Sequence, residues 1–195
     1  MKDLKFCPKC GQQSLKWDGE KKWNCSECDY ILFHNVAGAV AVLVKNGEEI
    51  LFTRRNQEPK KGKLDLAGGF VDPRESAEET CVRELFEEMK LKVDISQLKY
   101  LASLPNIYEY KNIIYNTLDL FYEYNVEEKF EVNLEISEIS EAVWLNKEQI
   151  NLEDISFDSQ RIFLEKYYHQ QNSWPNGTRR QKRRSFAARF DQRFH

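Results

Sequence analysis

The chain has 195 residues, a formal net charge of −3, and 41% apolar and 13% aromatic side chains. That balance excludes a disordered polymer, and the longest run without a polar side chain, Val36 to Val44, is far too short for the ~20 residues that cross a bilayer. The charge is uneven: from Ser173 onward seven Lys or Arg face one acid, Asp191, so a basic tail follows an acidic body. Met1 to Cys7 contains no apolar segment of the signal-peptide kind, which predicts a cytoplasmic chain with reduced thiols and no membrane partner.

Four of the five cysteines form two knuckles, Cys7-Pro8-Lys9-Cys10 and Cys25-Ser26-Glu27-Cys28. Each knuckle lets two thiolates converge on one ion, and two of them predict a structural zinc site with four sulfur ligands. A redox pair is disfavoured by the second matched knuckle, and catalytic zinc by the lack of an open position for water. Between the knuckles, Ser14 to Asn24 predicts a hairpin turning at Asp18-Gly19. So small a segment cannot bury its own core, so metal would supply its folding energy. Its lysines are offset by acids, so a purely nucleic-acid-binding role is not favoured. Cys81 reads as a small buried residue.

Residues 1–33 are expected to form this zinc ribbon, 34–171 the main domain, and 172–195 the basic tail. Trp174-Pro175-Asn176-Gly177 marks the linker before the tail. In the main domain Val36 to Val44 predicts a buried strand, Lys45-Asn46-Gly47-Glu48 a hairpin turn, and Glu49 to Arg54 the returning strand. Asn56 to Lys63 reads as a charged loop. Tyr100 to Leu104, Ile113 to Val126 and Ala142 to Leu145 predict further strands. Asn146 to Ile150 and Ser159 to Tyr168 predict helical turns. The fold class expected is α/β, a mixed sheet in an α/β/α sandwich.

The most informative segment lies between Gly69 and Leu91. Ser76-Ala77-Glu78-Glu79 is a capping box that starts a helix. At ~100° per residue, Glu84, Glu87 and Glu88 share one arc, opposite Val82, Leu85, Phe86 and Met89. Like charges this close repel by a few tenths of a kcal/mol per pair. Several carboxylates on one face suit a hard divalent cation such as Mg²⁺ or Mn²⁺. An acidic solvated face is the alternative, and the spaced Gly69, Glu75 and Arg83 argue against it.

Gly69, Glu75, Arg83, Glu84, Glu87 and Glu88 resemble the signature of the Nudix hydrolases position by position. Leu64-Asp65-Leu66-Ala67-Gly68-Gly69 is similar to the segment preceding that signature. The resemblance implies a Nudix-type sandwich over roughly residues 34–170. It implies Glu84, Glu87 and Glu88 as ligands of Mg²⁺ or Mn²⁺, with Glu75 supporting the site and the Gly68-Gly69 backbone close to the metal. Arg83 would orient a glutamate by a salt bridge. Lys90 stands where the family has glycine; taking the left-handed conformation there would cost Lys ~1 kcal/mol.

A zinc ribbon ahead of such a domain resembles the NADH pyrophosphatase branch, although that branch's motif Ser-Gln-Pro-Trp-Pro-Phe-Pro is replaced here by Ser103 to Tyr110. The activity implied is cleavage of the pyrophosphate bond in a nucleoside diphosphate linked to another group, X. NADH, ADP-ribose, a dinucleoside polyphosphate and a capped RNA end are all open as substrates. Candidate bases are Glu87, Glu88 and, from Glu135 to Glu141, Glu138. Arg54 and Tyr108 are the expected substrate contacts, with Tyr110 and Tyr115 as further aromatics. A homodimer, and nucleic acid reached through the tail, stay open. The competing class is a zinc-ribbon binding or regulatory protein with a silent Nudix domain.

Overall fold

A computed structural model describes residues 4–132 and 137–172. Glu135, Ile136 and the tail from Ser173 lie outside the described residues. Two sheets are present. The first is small and antiparallel: β1 (Leu15–Trp17), β2 (Lys22–Cys25) and β3 (Ile31–Phe33). Its β1–β2 hairpin turns where the sequence indicates. Asp18 Oδ1 accepts the N–H groups of Glu20 and Lys21 at 2.8 and 2.9 Å, which holds the turn closed. β3 extends the expected hairpin by a third strand. The core of this ribbon is Leu15 and Trp23 with Cys7 and Cys25, and Trp17 lies against Trp23 with ring centroids 4.5 Å apart.

The second sheet is mixed, as expected. Its strands are β4 (Ala37–Asn46), β5 (Glu49–Arg55), β6 (Leu64–Asp65), β7 (Lys99–Tyr110), β8 (Ile113–Asn125) and β9 (Ile139–Leu145). The order is β6-β5-β4-β8-β7, with β9 also paired to β5. β4 and β8 run parallel from Ala37↔Thr117 to Lys45↔Asn125, and the other pairs are antiparallel. Strand periodicity explains the two layers of helix. Val40, Val42 and Val44 point to one face and pack with Cys81, Leu85 and Met89 of α1 (Ala77–Met89). Ala41 and Leu43 point to the other and pack with Phe163 and Leu164 of α2 (Asp158–Asn172). The Phe121 and Phe163 rings stack at 4.2 Å. Each such fully buried side chain stabilises the sandwich by roughly 1.5–3 kcal/mol. Among the described residues no helix is long and apolar enough to cross a membrane.

One irregularity builds the site. β4 and β5 pair at Lys45↔Ile50 and Asn46↔Glu49, next to their turn, and then separate. The chain after β6 fills the gap beside β4. Val42 N–H donates to Ala67 O at 2.8 Å, Val40 N–H to Gly69 O at 2.9 Å, and Val71 N–H to Gly38 O at 3.0 Å. Gly68 and Gly69 are thereby fixed next to the central strand.

Two features differ from expectation. β7 runs on through Pro105 to Tyr110 instead of stopping near Leu104. It is the edge strand, so the missing proline N–H costs no ladder bond inside the sheet. Phe86, expected on the packing arc of α1, is 45% exposed, with Lys90 Nζ 5.5 Å from its ring centre. Asn146 to Ile150 is the expected helical turn, a 3₁₀ turn over Lys147–Gln149 capped by Asn146 and Ile150.

The capping box of α1 is complete. Ser76 N–H donates to Glu79 Oε2 at 2.7 Å, and Glu79 N–H donates to Ser76 Oγ at 3.2 Å. At the other end Lys90 takes φ 57° and ψ 21°, and its N–H donates to Phe86 O at 2.9 Å. Lysine therefore adopts the left-handed conformation that glycine takes without penalty. Lys90→Gly is expected to raise the melting temperature by about 2–4 °C, the equivalent of ~1 kcal/mol for a chain this size; circular dichroism melting checks it.

Candidate active site

Loop chemistry places the first parts. Gly68 has φ +150°, and a Cβ there would lie 2.1 Å from Val40 O, so only glycine permits this approach to β4. A Cβ on Gly69 would lie 2.3 Å from Glu84 Oε1. The bare backbone at Gly69 is what lets the Glu84 carboxylate lie against the loop.

Arg83 organises the acids of α1. Its Nε and Nη2 donate to the two oxygens of Glu75 at 2.9 and 3.0 Å, a bidentate pair. Its Nη1 donates to Glu84 at 2.8 Å and to Glu87 at 3.2 Å, and Nη2 also reaches Phe70 O at 3.0 Å. Thr80 Oγ1 donates to Glu75 Oε2 at 2.9 Å. Arg83 beside Glu75 is the main cause that holds this carboxyl down to about 2. Glu75 is thus a committed partner of Arg83, and the pair braces the loop before α1 against its second turn.

Glu88 is in a different state. Among the described residues its hydrogen-bond donor is Gly68 N–H, at 3.3 Å, and no Lys or Arg pairs with it. Burial is the main cause that pushes its carboxyl well above the usual range, and the charges of Glu84, Asp65 and Glu138 add to it. Burial likewise raises Glu84, against the opposing pull of Arg83. Glu87 is the exposed member, with 59% of its side chain open to solvent.

These groups share one cavity of about 390 Å³. Glu84, Glu87 and Glu88 line one side, the Gly68-Gly69 backbone another, and Glu138 a third. Of the later acids named from the sequence, Glu138 reaches the cavity, while Glu141 is bound to Arg54 Nε at 2.8 Å. Tyr108 lines the cavity between Phe70 and Phe157, with ring centroids 5.3 and 5.6 Å away. Arg54 is not part of this wall: its second bond is to Gly62 O at 2.8 Å. Its neighbour Arg55 lines the cavity instead. Arg55 donates to Asp65 at 2.7 Å and to Pro59 O at 2.7 Å, and lies over the Phe157 ring at 5.1 Å. Arg55 also hydrogen-bonds the Tyr108 side chain, and the rest of its five-donor fork is available to a ligand.

Sequence reasoning missed several wall residues. Asp65 accepts from Gln160 of α2, and Gln160 in turn accepts from Leu66 N–H at 3.1 Å. Asp119 accepts from Thr117 at 2.7 Å and from Ser159. A charged residue inside an apolar strand, as in Leu64-Asp65-Leu66 and Leu118-Asp119-Leu120, was the one available signal.

The family profile of the NUDIX domain matches residues 33–167. The chain belongs to the Nudix family. It is 30% identical over 151 residues to the NAD-capped RNA hydrolase NudC of Haemophilus influenzae (strain PittGG), covering 76% of this chain and 54% of that protein. The chain therefore spans about half the length of the curated relatives it matches. In fold it is similar to a NUDIX hydrolase from Nitrosomonas europaea (TM-score 0.59, 21% identity, covering 85% of this chain and 93% of the other). It is also similar to the MutT protein of Methanosarcina mazei Go1 (TM-score 0.56, 26% identity, covering 73% and 99%). Glu75, Glu84, Glu87, Glu88 and Glu138 all fall within the matched segment.

Nudix chemistry calls for a divalent cation, and the donor set fits one. Hard carboxylate oxygens and loop carbonyls surround the cavity, and among the described residues no Lys or Arg pairs with Glu88. Raised in the folded state, the Glu88 carboxyl favours the fold when protonated, and that benefit is lost as pH rises from the ordinary carboxylate value through the raised one. Without added Mg²⁺ or Mn²⁺, Glu88→Gln is therefore expected to melt higher than the parent at pH 8, with the gap closing on acidification. Added Mg²⁺ should raise the parent's melting temperature and leave the variant's unchanged; melting curves at several pH values check both.

The four cysteines form a separate centre. Their sulfurs all lie within 4.8 Å of one another, the closest contacts being 3.5 to 3.7 Å. A tetrahedron of sulfurs ~2.3 Å from one metal has edges of about 3.8 Å, so the cluster is near the size of a four-thiolate site. Ser14 is the main cause that lowers Cys25 to about 6, while burial pushes its neighbour Cys28 up to about 12, so binding a metal to both would release a proton.

Proposed function

We propose that this chain is a metal-dependent hydrolase that cleaves the pyrophosphate bond of a nucleoside diphosphate linked to another group, releasing a nucleoside monophosphate. One observation carries the reading: Glu84, Glu87 and Glu88 from α1 and Glu138 from the turn before β9 open on one cavity beside the Gly68-Gly69 backbone. The Nudix membership and the NAD-capped RNA hydrolase relatives support the substrate class.

Glu84, Glu87 and Glu88 would hold Mg²⁺ or Mn²⁺, with the Gly69 backbone beside them. Bound there, the cation would neutralise charge on the phosphate oxygens and acidify the attacking water. The remaining roles fall to the protein. Arg83, held by Glu75, aims Glu84 and Glu87. Glu138, the later acid that lines the cavity, is assigned to take the water's proton. Arg55, fixed by Asp65 and Phe157, donates to a phosphate oxygen of the substrate, and Tyr108 stacks on its base. The four cysteines would hold a structural zinc ion that folds the ribbon.

The test is a panel of nucleotide anhydrides (NADH, ADP-ribose, dinucleoside polyphosphates and NAD-capped RNA) incubated with the protein and Mg²⁺. Chromatography should show a nucleoside monophosphate, or a 5′-monophosphate RNA end, from at least one. No product from any of them at high enzyme concentration would overturn the reading.

A further inference from the structure

Gln160, in the first turn of α2, is 5% exposed, and the two ends of its amide do different things. The oxygen accepts from Leu66 N–H at 3.1 Å and so satisfies a backbone donor beside β6. The nitrogen donates to Asp65 Oδ1. The other oxygen of Asp65 accepts from Arg55 Nη1 at 2.7 Å. We infer that Gln160 is a positioning residue: acting through Asp65, it aims the Arg55 guanidinium at a phosphate of the substrate. The inference rests on the hydrolase reading above and deepens it.

Arg55 is held from several directions. Pro59 O accepts from its Nε at 2.7 Å, Asp65 accepts from Nη1, and its Cζ lies 5.1 Å from the Phe157 ring centre. Phe157 and Gln160 belong to the same helix start, because Arg161 N–H donates to Phe157 O at 3.0 Å. The ring against Arg55 and the amide against Asp65 are therefore set by one element. That element is firmly seated. Phe163 and Leu164 are buried, and Phe163 stacks on Phe121. Ser156 N–H donates to Leu64 O at 2.8 Å, and Ser159 Oγ donates to Asp119 Oδ2. A group aimed from a packed helix is held more precisely than one aimed from a loop.

Stability alone does not call for this chain of groups. Burying a carboxylate beside a guanidinium costs desolvation, and apolar side chains of similar volume often serve a packed contact as well or better. What the bonds supply is direction, since each member has few orientations in which its partners stay satisfied. Gln160 and Asp65 both line the cavity, yet each already bonds protein at both polar atoms of its side chain. The rest of the Arg55 fork opens on the cavity shared with Glu84 and Glu88.

Gln160→Glu separates the two ends of the amide. A carboxylate still accepts from Leu66 N–H, but it cannot donate to Asp65. On the best substrate of the panel, in the full chain at saturating Mg²⁺, KM should rise about tenfold and kcat stay within about twofold, the pattern of a weakened charge-assisted bond to bound substrate. Asp65→Asn should show the same rise, and it carries the comparison if Gln160→Glu does not fold. Asp65→Asn combined with Gln160→Glu restores a matched donor and acceptor, and should return KM to within about threefold of the parent. In an Arg55→Ala background, Gln160→Glu should change KM by less than about twofold. A lowered melting temperature with KM unchanged would make Gln160 a structural clamp and overturn the inference. Failure of the combined variant to restore KM would do the same. So would an undiminished rise in the Arg55→Ala background, which would assign the effect to the added charge. If Arg55→Ala keeps the parent's KM, the phosphate contact falls and this inference with it, while hydrolysis itself upholds the catalytic reading. If the unmodified protein cuts nothing in the panel, the hydrolase reading falls as well.

Discussion

Glu88→Gln is expected to reduce turnover by about 10²–10³-fold while the chain stays folded. The side chain is isosteric, so the Gly68 N–H keeps an acceptor and the packing of α1 on β4 is untouched. What is lost is the charge that would draw the cation to the cavity, and losing a group that stabilises developing transition-state charge costs ~3–4 kcal/mol in comparable sites. Glu87→Gln should fall by a similar factor, because the exposed Glu87 is bonded to protein by Arg83 and is otherwise open to a ligand. In both variants the loss should appear in kcat and in the Mg²⁺ concentration needed for half activity. Steady-state rates across a Mg²⁺ titration measure both. Glu138→Gln is distinct: if Glu138 takes the proton, its kcat falls with the Mg²⁺ requirement unchanged.

The second large effect concerns the ribbon. Cys7→Ser combined with Cys25→Ser is expected to abolish bound zinc and unfold residues 4–33, leaving the mixed sheet intact. The ribbon's core is four residues, two of which are these cysteines. Ribbons this small draw their stability from the metal, and apparent zinc-binding free energies are of order 10 kcal/mol. Metal analysis should give one zinc per chain in the parent and none in the variant, with loss of amide protection confined to the ribbon. Retention of zinc by the double variant would remove the assignment.

How far the sequence reaches differs from element to element. α1 is legible to its caps because everything that specifies it is local: Ser76 and Glu79 for the start, and the 3.6-residue spacing of Leu85 and Met89 against Glu84 and Glu88. The ribbon is legible because two knuckles at short range fix four sulfurs. Phe86 shows the limit of such patterns, since an apolar residue at the margin of the arc was free to remain exposed.

The walls of the cavity were hidden for a different reason. Asp65, Asp119, Gln160 and Phe157 come from separate strands and from the region around α2, and only the sheet order brings them together. Arg54 and Arg55 could not be told apart because the sequence does not say which face of β5 meets the cavity. As neighbours on one strand they face opposite ways, Arg54 toward its cross-strand partner Glu141 and Arg55 toward Asp65. β7 was cut short because Pro105 reads as a break until the strand is known to lie at the sheet's edge.

The most direct test of the catalytic centre is Mn²⁺ binding and hydrolysis measured together on the full chain. Mn²⁺ is titrated by electron paramagnetic resonance while nucleoside monophosphate release is followed on the best substrate of the panel. The account expects the parent to bind Mn²⁺ with an affinity that matches the activation of hydrolysis, and Glu88→Gln to lose both in parallel. Hydrolysis at an undiminished rate in Glu88→Gln, or Mn²⁺ binding there with unchanged affinity, would contradict it.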